Sequence, residues 1–215
     1  HNIANGLPIR IDNPSSELKL AYIDDVVAEI IAAIDGVGHV DEDGFAYVPR
    51  TFSVTLGELA SRIHSYAENR SSLRIPGLSM DFDRFLYATY TSYLPNPVYP
   101  LDMKHDDRGW FAEFMKSSQF GQVSISRTKP GITRGNHWHH TKTEKFLVVE
   151  GEAVIRLRKV GSCETIEIPV TGHRLTPVDI PVGFTHSIKN TGNTDLITLF
   201  WASEVFDPSK PDTYY

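Results

Sequence analysis

Hydrophobic positions fall into two textures along this chain. Val26, Val27, Ile30, Ile31 and Ile34 recur at helical spacing on one face, with acids ahead of them and Gly36 behind. A helix is therefore expected over Asp24–Gly36. Thr55-Leu56-Gly57-Glu58 has capping-box spacing and opens a second helix, with Leu59, Ile63 and Tyr66 as its apolar stripe. A third helix is expected from Asp81 to Tyr93, rich in aromatics and stopped by Pro95. Ile9–Asn13 and Leu18–Ile23 alternate well enough for short strands. Beyond Pro95-Asn96-Pro97 and Pro100 the period shortens to two, in Gln122–Arg127, Lys145–Val149, Ala153–Arg158, Thr165–Val170 and Leu196–Trp201. Short strands so closely spaced mean a β-sandwich or barrel. The expectation is a mostly helical part, residues 1–99, ahead of a β domain, residues 100–215.

Composition narrows the function classes. Hydrophobic residues at 40% and charged residues at 22% are ordinary for a globular chain. No apolar run reaches the roughly 20 residues of a membrane-spanning helix. A formal charge of −6 argues against a nucleic-acid or anionic-membrane surface, while leaving room for a local basic pocket. Cys163 is the sole cysteine, which excludes an internal disulfide and suits a reducing cytoplasm. The opening His1-Asn2-Ile3-Ala4 has neither an initiator Met nor a signal-peptide pattern and reads like the middle of a domain, so a piece of a longer protein is expected.

The chemistry concentrates between Gly131 and Gly151. On a strand, His137 and His139 point to the same face, and Glu144 stands at the start of the next apolar run, where a turn can return it to that face. His186 enters on a second turn-then-strand segment, Pro181 to Asn190. Three imidazoles and a carboxylate suit a divalent metal, Zn²⁺, Fe²⁺, Mn²⁺ or Ni²⁺, with open positions for a substrate oxygen. A His-x-His pair alone is more often solvated or locally hydrogen-bonded. His39, His64, His105 and His173 have no partners in sequence, and Cys163 sits in a polar turn.

These residues carry a family resemblance. Gly131 to Gly151 matches the cupin pattern Gly-x5-His-x-His-x4-Glu-x6-Gly at every fixed position, and Pro181 to Asn190 matches Pro-x-Gly-x2-His-x3-Asn. The glycine that cupins often carry six residues before that proline is Leu175 here, a change in a turn. The resemblance implies an RmlC-like jelly-roll β-barrel with His137, His139, Glu144 and His186 as metal ligands. Some sugar-modifying cupins instead use these histidines as acid and base without a metal.

A second signature narrows the reaction. Asp107 to Glu113, Gln122-Val123-Ser124 and Arg134-Gly135-Asn136-His137 resemble the deoxysugar-nucleotide 3,5-epimerases. That likeness puts Arg108, Arg134 and Glu113 on the substrate, the arginines as forks for phosphate oxygens. A surface ion pair between Arg108 and Glu113 is the plainer alternative.

A wider likeness, carried by Glu17–Ile30, Val54–Glu58, Tyr93–Pro95, Pro130–Val149, Val178–His186 and Phe206–Tyr214, covers essentially the whole chain. The chain resembles the C-terminal half or more of the bifunctional capsule and O-antigen enzymes of the CapF/WbjC type. Those join a short-chain dehydrogenase/reductase domain to a zinc cupin and act on a UDP-linked 2-acetamido-2,6-dideoxy-hexos-4-ulose. The cupin epimerises C3 and the reductase domain reduces C4 with NADPH, towards UDP-N-acetyl-L-fucosamine. By this likeness residues 1–99 are the substrate-side remnant of the reductase domain. No Gly-x-x-Gly-x-x-Gly loop and no Tyr-x-x-x-Lys occurs in 1–99, so NADPH is expected only in the full-length enzyme. Lys142 and His140 are the candidate acid and base, although His140 should face away from His139. A cytoplasmic homodimer is expected. Two rivals share the ligands: a metal-dependent dioxygenase, and a non-catalytic, metal-stabilised dimerisation or sugar-binding module.

Overall fold

The structure, a computed structural model, describes residues 1–215. The chain divides into two compact units, His1–Ser72 with Leu78–Pro97, and Leu73–Gly77 with Val98–Tyr215. No helix is long and apolar enough to cross a membrane.

The first unit holds β1 (Glu17–Leu20), α1 (Ile23–Ile34), β2 (Phe52–Thr55), α2 (Leu56–Ser72) and α3 (Asp81–Ser92), with β1 and β2 antiparallel. The capping box forms: Thr55 Oγ1 accepts the Glu58 N–H at 3.3 Å, and Glu58 Oε2 accepts the Thr55 N–H at 3.1 Å. Gly36, at φ 74°, ends α1; its N–H reaches Ala33 O at 3.2 Å and the Val37 N–H reaches Ala32 O at 2.9 Å, a Schellman closure. Buried Tyr66 and Tyr90 anchor the aromatic packing between α2 and α3. Two expectations change. Ile9–Asn13 is not a strand; it lies between Pro8 and Pro14 with no ladder to join, because β2 takes β1 as its partner. Leu18–Ile23 shortens to β1, and Ile23 opens α1 instead. The apolar face of α1 forms but stays largely uncovered, with Ile30 56% and Ile34 79% exposed.

The second unit is mainly β. A six-stranded sheet contains β3 (Met103–Asp106), β4 (Gly109–Ser117), β5 (Gly121–Thr128), β7 (Glu144–Glu150), β10 (Val178–Ile180) and β12 (Leu196–Ala202), in the order β10-β7-β12-β5-β4-β3. A four-stranded sheet contains β6 (Thr133–His137), β8 (Glu152–Lys159), β9 (Ile166–Thr171) and β11 (Phe184–Asn190), in the order β6-β11-β8-β9. All these pairings are antiparallel. Inward residues of both sheets, among them Val148, Ile155, Ile188 and Leu196, form one apolar core. Each fully buried aliphatic side chain there contributes about 1.5–3 kcal/mol. On β5 the inward face is polar: Gln122, Ser124, Ser126 and Thr128 are buried, while Val123 and Ile125 are only half-buried. The barrel interior therefore has an apolar part and a polar part, and the polar part is a cavity.

Candidate metal centre

Four elements converge on that cavity. His137 ends β6 and pairs across the four-stranded sheet with His186 on β11. The ladder then skips Asn136, at φ 65°, so that Ser187 faces Gly135. This bulge turns the His137 ring onto the His186 side. Gly135 is required there: at φ 99°, an added Cβ would stand 2.7 Å from His186 O. Glu144 comes from the opposite sheet, at the start of β7. The strand expected to carry both His137 and His139 stops at His137. Trp138 instead exchanges backbone hydrogen bonds with Tyr214, at 2.8 and 3.0 Å, which keeps the local chain extended and leaves His139 on the same side as His137.

The donor atoms of His137, His139, Glu144 and His186 all lie within 4.8 Å of one another. Donors around a common ion at about 2.1 Å stand roughly 3–4 Å apart, so the group needs little closure to share one. The hydrogen bonding fits a cation as well. His139 Nδ1 meets the Asp212 carbonyl, and His186 Nδ1 meets the Phe184 carbonyl at 3.4 Å. A carbonyl can only accept, so each Nδ1 carries the hydrogen. Both Nε2 atoms are buried without a hydrogen-bond partner and point at Glu144 Oε2, from 3.4 and 3.1 Å. Lone pairs facing a carboxylate in a dry site repel unless a proton or a metal ion lies between them.

Electrostatics agree. Burial, and then the neighbouring imidazoles of His186 and His139, push His137 down to about 4, so it is neutral and ready to ligate near neutral pH. Burial alone would raise Glu144, but the facing imidazoles outweigh it and hold the carboxyl well below the usual range.

The cavity, about 380 Å³, is lined by His137, Glu144 and His186 of this cluster and by further polar and apolar groups. Lys104, Arg108 and Arg134 line it, Phe111, Phe146, Phe200 and Phe206 supply apolar wall, and Ser124, Ser126 and Gln122 supply polar wall. Lys142 lines it too, 8% exposed, and its side-chain amine takes part in no hydrogen bond or ion pair. Arg134 is anchored by Thr128 Oγ1 at 3.0 Å. Arg108 pairs with Asp106 at 2.5 Å, not with Glu113, which pairs with Lys116 at 2.6 Å. The alternative of an Arg108–Glu113 pair is thus replaced: Asp106 is the nearer carboxylate, across the hairpin turn that carries Arg108. His140 is not part of the cavity wall; its ring packs against Trp138 and Tyr214, both at 4.6 Å between centroids. Sequence reasoning assigned no role to Lys104, Phe206 or Asp212. Only the likeness of Phe206–Tyr214 to the capsule enzymes hinted at the last two.

Comparison with known proteins now bears on the site. A family model described as the polysaccharide biosynthesis C-terminal domain matches residues 104–214, nearly all of the strand-rich region. The chain belongs to the polysaccharide biosynthesis C-terminal domain family. Within this family setting, a Pseudomonas aeruginosa protein named UDP-2-acetamido-2,6-beta-L-arabino-hexul-4-ose reductase is 39% identical over 216 residues, covering 100% of this chain and 58% of its own length. The crystal structure of the capsular polysaccharide assembling protein CapF from Staphylococcus aureus is 50% identical with a TM-score of 0.91, covering 100% of this chain and 58% of that one. A CapF structure with the inhibitor 3-isopropenyl-tropolone gives a TM-score of 0.93 at 50% identity over 100% of this chain and 63% of that one. This is a CapF-type capsular polysaccharide protein, similar to its relatives from end to end. It spans about three fifths of their length.

Proposed function

We propose that the second unit is a cupin epimerase acting at C3 of a UDP-2-acetamido-2,6-dideoxy-hexos-4-ulose. The observation that carries this is one cavity lined by His137, Glu144 and His186, whose donor atoms cluster with that of His139, together with the buried Lys142 and a group of cations. A divalent ion held by His137, His139, Glu144 and His186, in our reading Zn²⁺, would supply Lewis acidity toward the C4 ketone oxygen and so acidify the neighbouring C3–H. Lys142 would carry the C3 proton, a reading supported by its buried position in the cavity wall. Arg134, Arg108 and Lys104 bind the diphosphate, with Arg134 the more rigid fork because Thr128 anchors it. The phenylalanine wall excludes water from the reacting carbon. His140 packs outside the cavity and has no part in this scheme.

The wider proposal follows from the relatives. Their extra length and the reductase name of the Pseudomonas relative support an enzyme in which epimerisation precedes NADPH-dependent C4 reduction, on the way to UDP-N-acetyl-L-fucosamine for capsule or O-antigen. On this reading residues 1–99 are the substrate-side remnant of a short-chain reductase domain and 100–215 the cupin. The uncovered apolar face of α1 supports that, because such a face is made to be packed against something. The scheme includes a homodimer and a reducing cytoplasm, the latter in keeping with the exposed thiol of Cys163.

The test pairs a metal assay with deuterium exchange at C3 of a UDP-linked 4-keto-6-deoxy amino sugar. Near-stoichiometric metal with exchange abolished by a chelator is the expected result. Metal without exchange would replace the epimerase with a binding module, and exchange without metal would move the proton chemistry onto the histidines.

A further inference from the structure

The loop between β6 and β7 carries His139 and Lys142 and leads into Glu144, yet it has little structure of its own. The backbone N–H groups of His140, Thr141 and Lys142 have one common acceptor, the Asp212 carboxylate, at 2.9, 2.8 and 2.9 Å. The Thr141 hydroxyl adds a fourth bond to the same carboxylate, at 3.1 Å. The main-chain carbonyl of Asp212 is also the acceptor for His139 Nδ1. Two residues on, Tyr214 pairs with Trp138 through both backbone bonds. A single residue, far away in sequence, thus satisfies the loop's amides and orients one of its imidazoles.

We infer that Asp212 is the positioning residue of the metal centre, its carboxylate fixing the loop that presents His139 and Lys142 while its carbonyl holds the His139 ring for a divalent cation. The inference rests on the metal reading of the four-residue cluster. The physical reason is preorganisation. Three consecutive amides aimed at one anion form a rigid nest, and a ring whose Nδ1–H is already committed offers only Nε2 to the ion. Without the carboxylate the amides turn to water, the loop gains freedom, and that entropy must be lost again each time an ion binds. Outer partners of this kind change metal affinity by about 10–100-fold.

The experiment measures Zn²⁺ affinity of the whole chain by competition with a chromophoric chelator, for the wild type, Asp212→Asn and Asp212→Ala. Visible spectra of the Co²⁺-loaded forms and thermal melts of the metal-free forms accompany it. Asn keeps one acceptor oxygen and should fall between the other two. The expected order of affinity is wild type, then Asp212→Asn, then Asp212→Ala about 10–100-fold below wild type, with an altered Co²⁺ ligand-field spectrum in the alanine variant. A purely structural role would lower the metal-free melting temperature while leaving affinity and spectrum of the folded protein unchanged, and would overturn the inference. If Asp212→Ala fails to fold, the Asp212→Asn affinity decides alone: a value within twofold of wild type refutes it. A wild type that takes up neither Zn²⁺ nor Co²⁺ would instead remove the metal reading beneath it.

Discussion

Glu144 Oε2 stands 3.1 Å from His186 Nε2, although the two residues belong to opposite sheets of the barrel. The contact joins the layers at a place where the interior is polar, and it sets an imidazole nitrogen against a carboxylate oxygen. Glu144→Ala should therefore cost far more metal than it costs fold. Zn²⁺ affinity should fall by at least about 100-fold, since one of the four proposed ligands is gone. Equilibrium dialysis followed by metal analysis reads this directly, with circular dichroism to show that the sheets persist.

His137 gives the metal-free protein a pH signature. Its folded pKa, pushed down to about 4, lies below the ordinary histidine value of 6.5. Between those two values the unfolded chain binds the proton that the folded chain refuses, so folding stability falls as pH drops from about 6.5 toward 4. Glu144, held below its own ordinary range, stays ionised through that window and starts to subtract only below its ordinary value of 4.5. Urea unfolding in the presence of a chelator should show lower stability at pH 5 than at pH 7. His137→Gln should flatten the slope; an unchanged slope would mean the imidazole is not buried as described.

Lys142→Met keeps the aliphatic stem and removes the amine. The expected outcome is loss of C3 deuterium exchange by about 10²–10⁴-fold, the usual range for a general acid–base group, with metal content unchanged. Retained exchange would move the proton carrier elsewhere in the cavity.

The two arginines should behave differently. The Arg134 side chain is 13% exposed, braced by Thr128 and 3.7 Å from Asp106, whereas that of Arg108 is 53% exposed and pairs with Asp106 more closely, at 2.5 Å. Calorimetric titration with UDP should show a loss of about 1.5–3 kcal/mol for Arg134→Met, the scale of a charge-assisted hydrogen bond, and less for Arg108→Met. Salt should weaken the Arg108 contribution first, because exposed charges are screened.

Much of this was legible in the residues. Thr55 and Glu58 announced the start of α2, and Gly36 the end of α1, because caps are local contacts between neighbours in sequence. The grouping of His137, His139, Glu144 and His186 was legible from spacing together with resemblance. The strand expected to carry both His137 and His139 was not, because a bulge at Asn136 and a pairing with Tyr214 depend on strands that sequence order does not place together. Nor could Asp212 be assigned, its partners being His139 to Lys142 across the length of the barrel chain.

The sequence by itself determined the periods: helical spacing before Pro95, alternation after it, and two separated segments that each bring imidazoles of the right type. It did not determine which face of an alternating strand is inside. On β5, Val123 and Ile125 look like the core face, yet Gln122, Ser124, Ser126 and Thr128 are the buried ones. On α1, the apolar face that should be covered is largely exposed. Period is a property of the backbone and survives any packing, but the inward side is chosen by whatever stands opposite. Around β5 that is a cavity lined by imidazoles, carboxylates and cations, and only the closing of two sheets over it decides that polar groups belong inside.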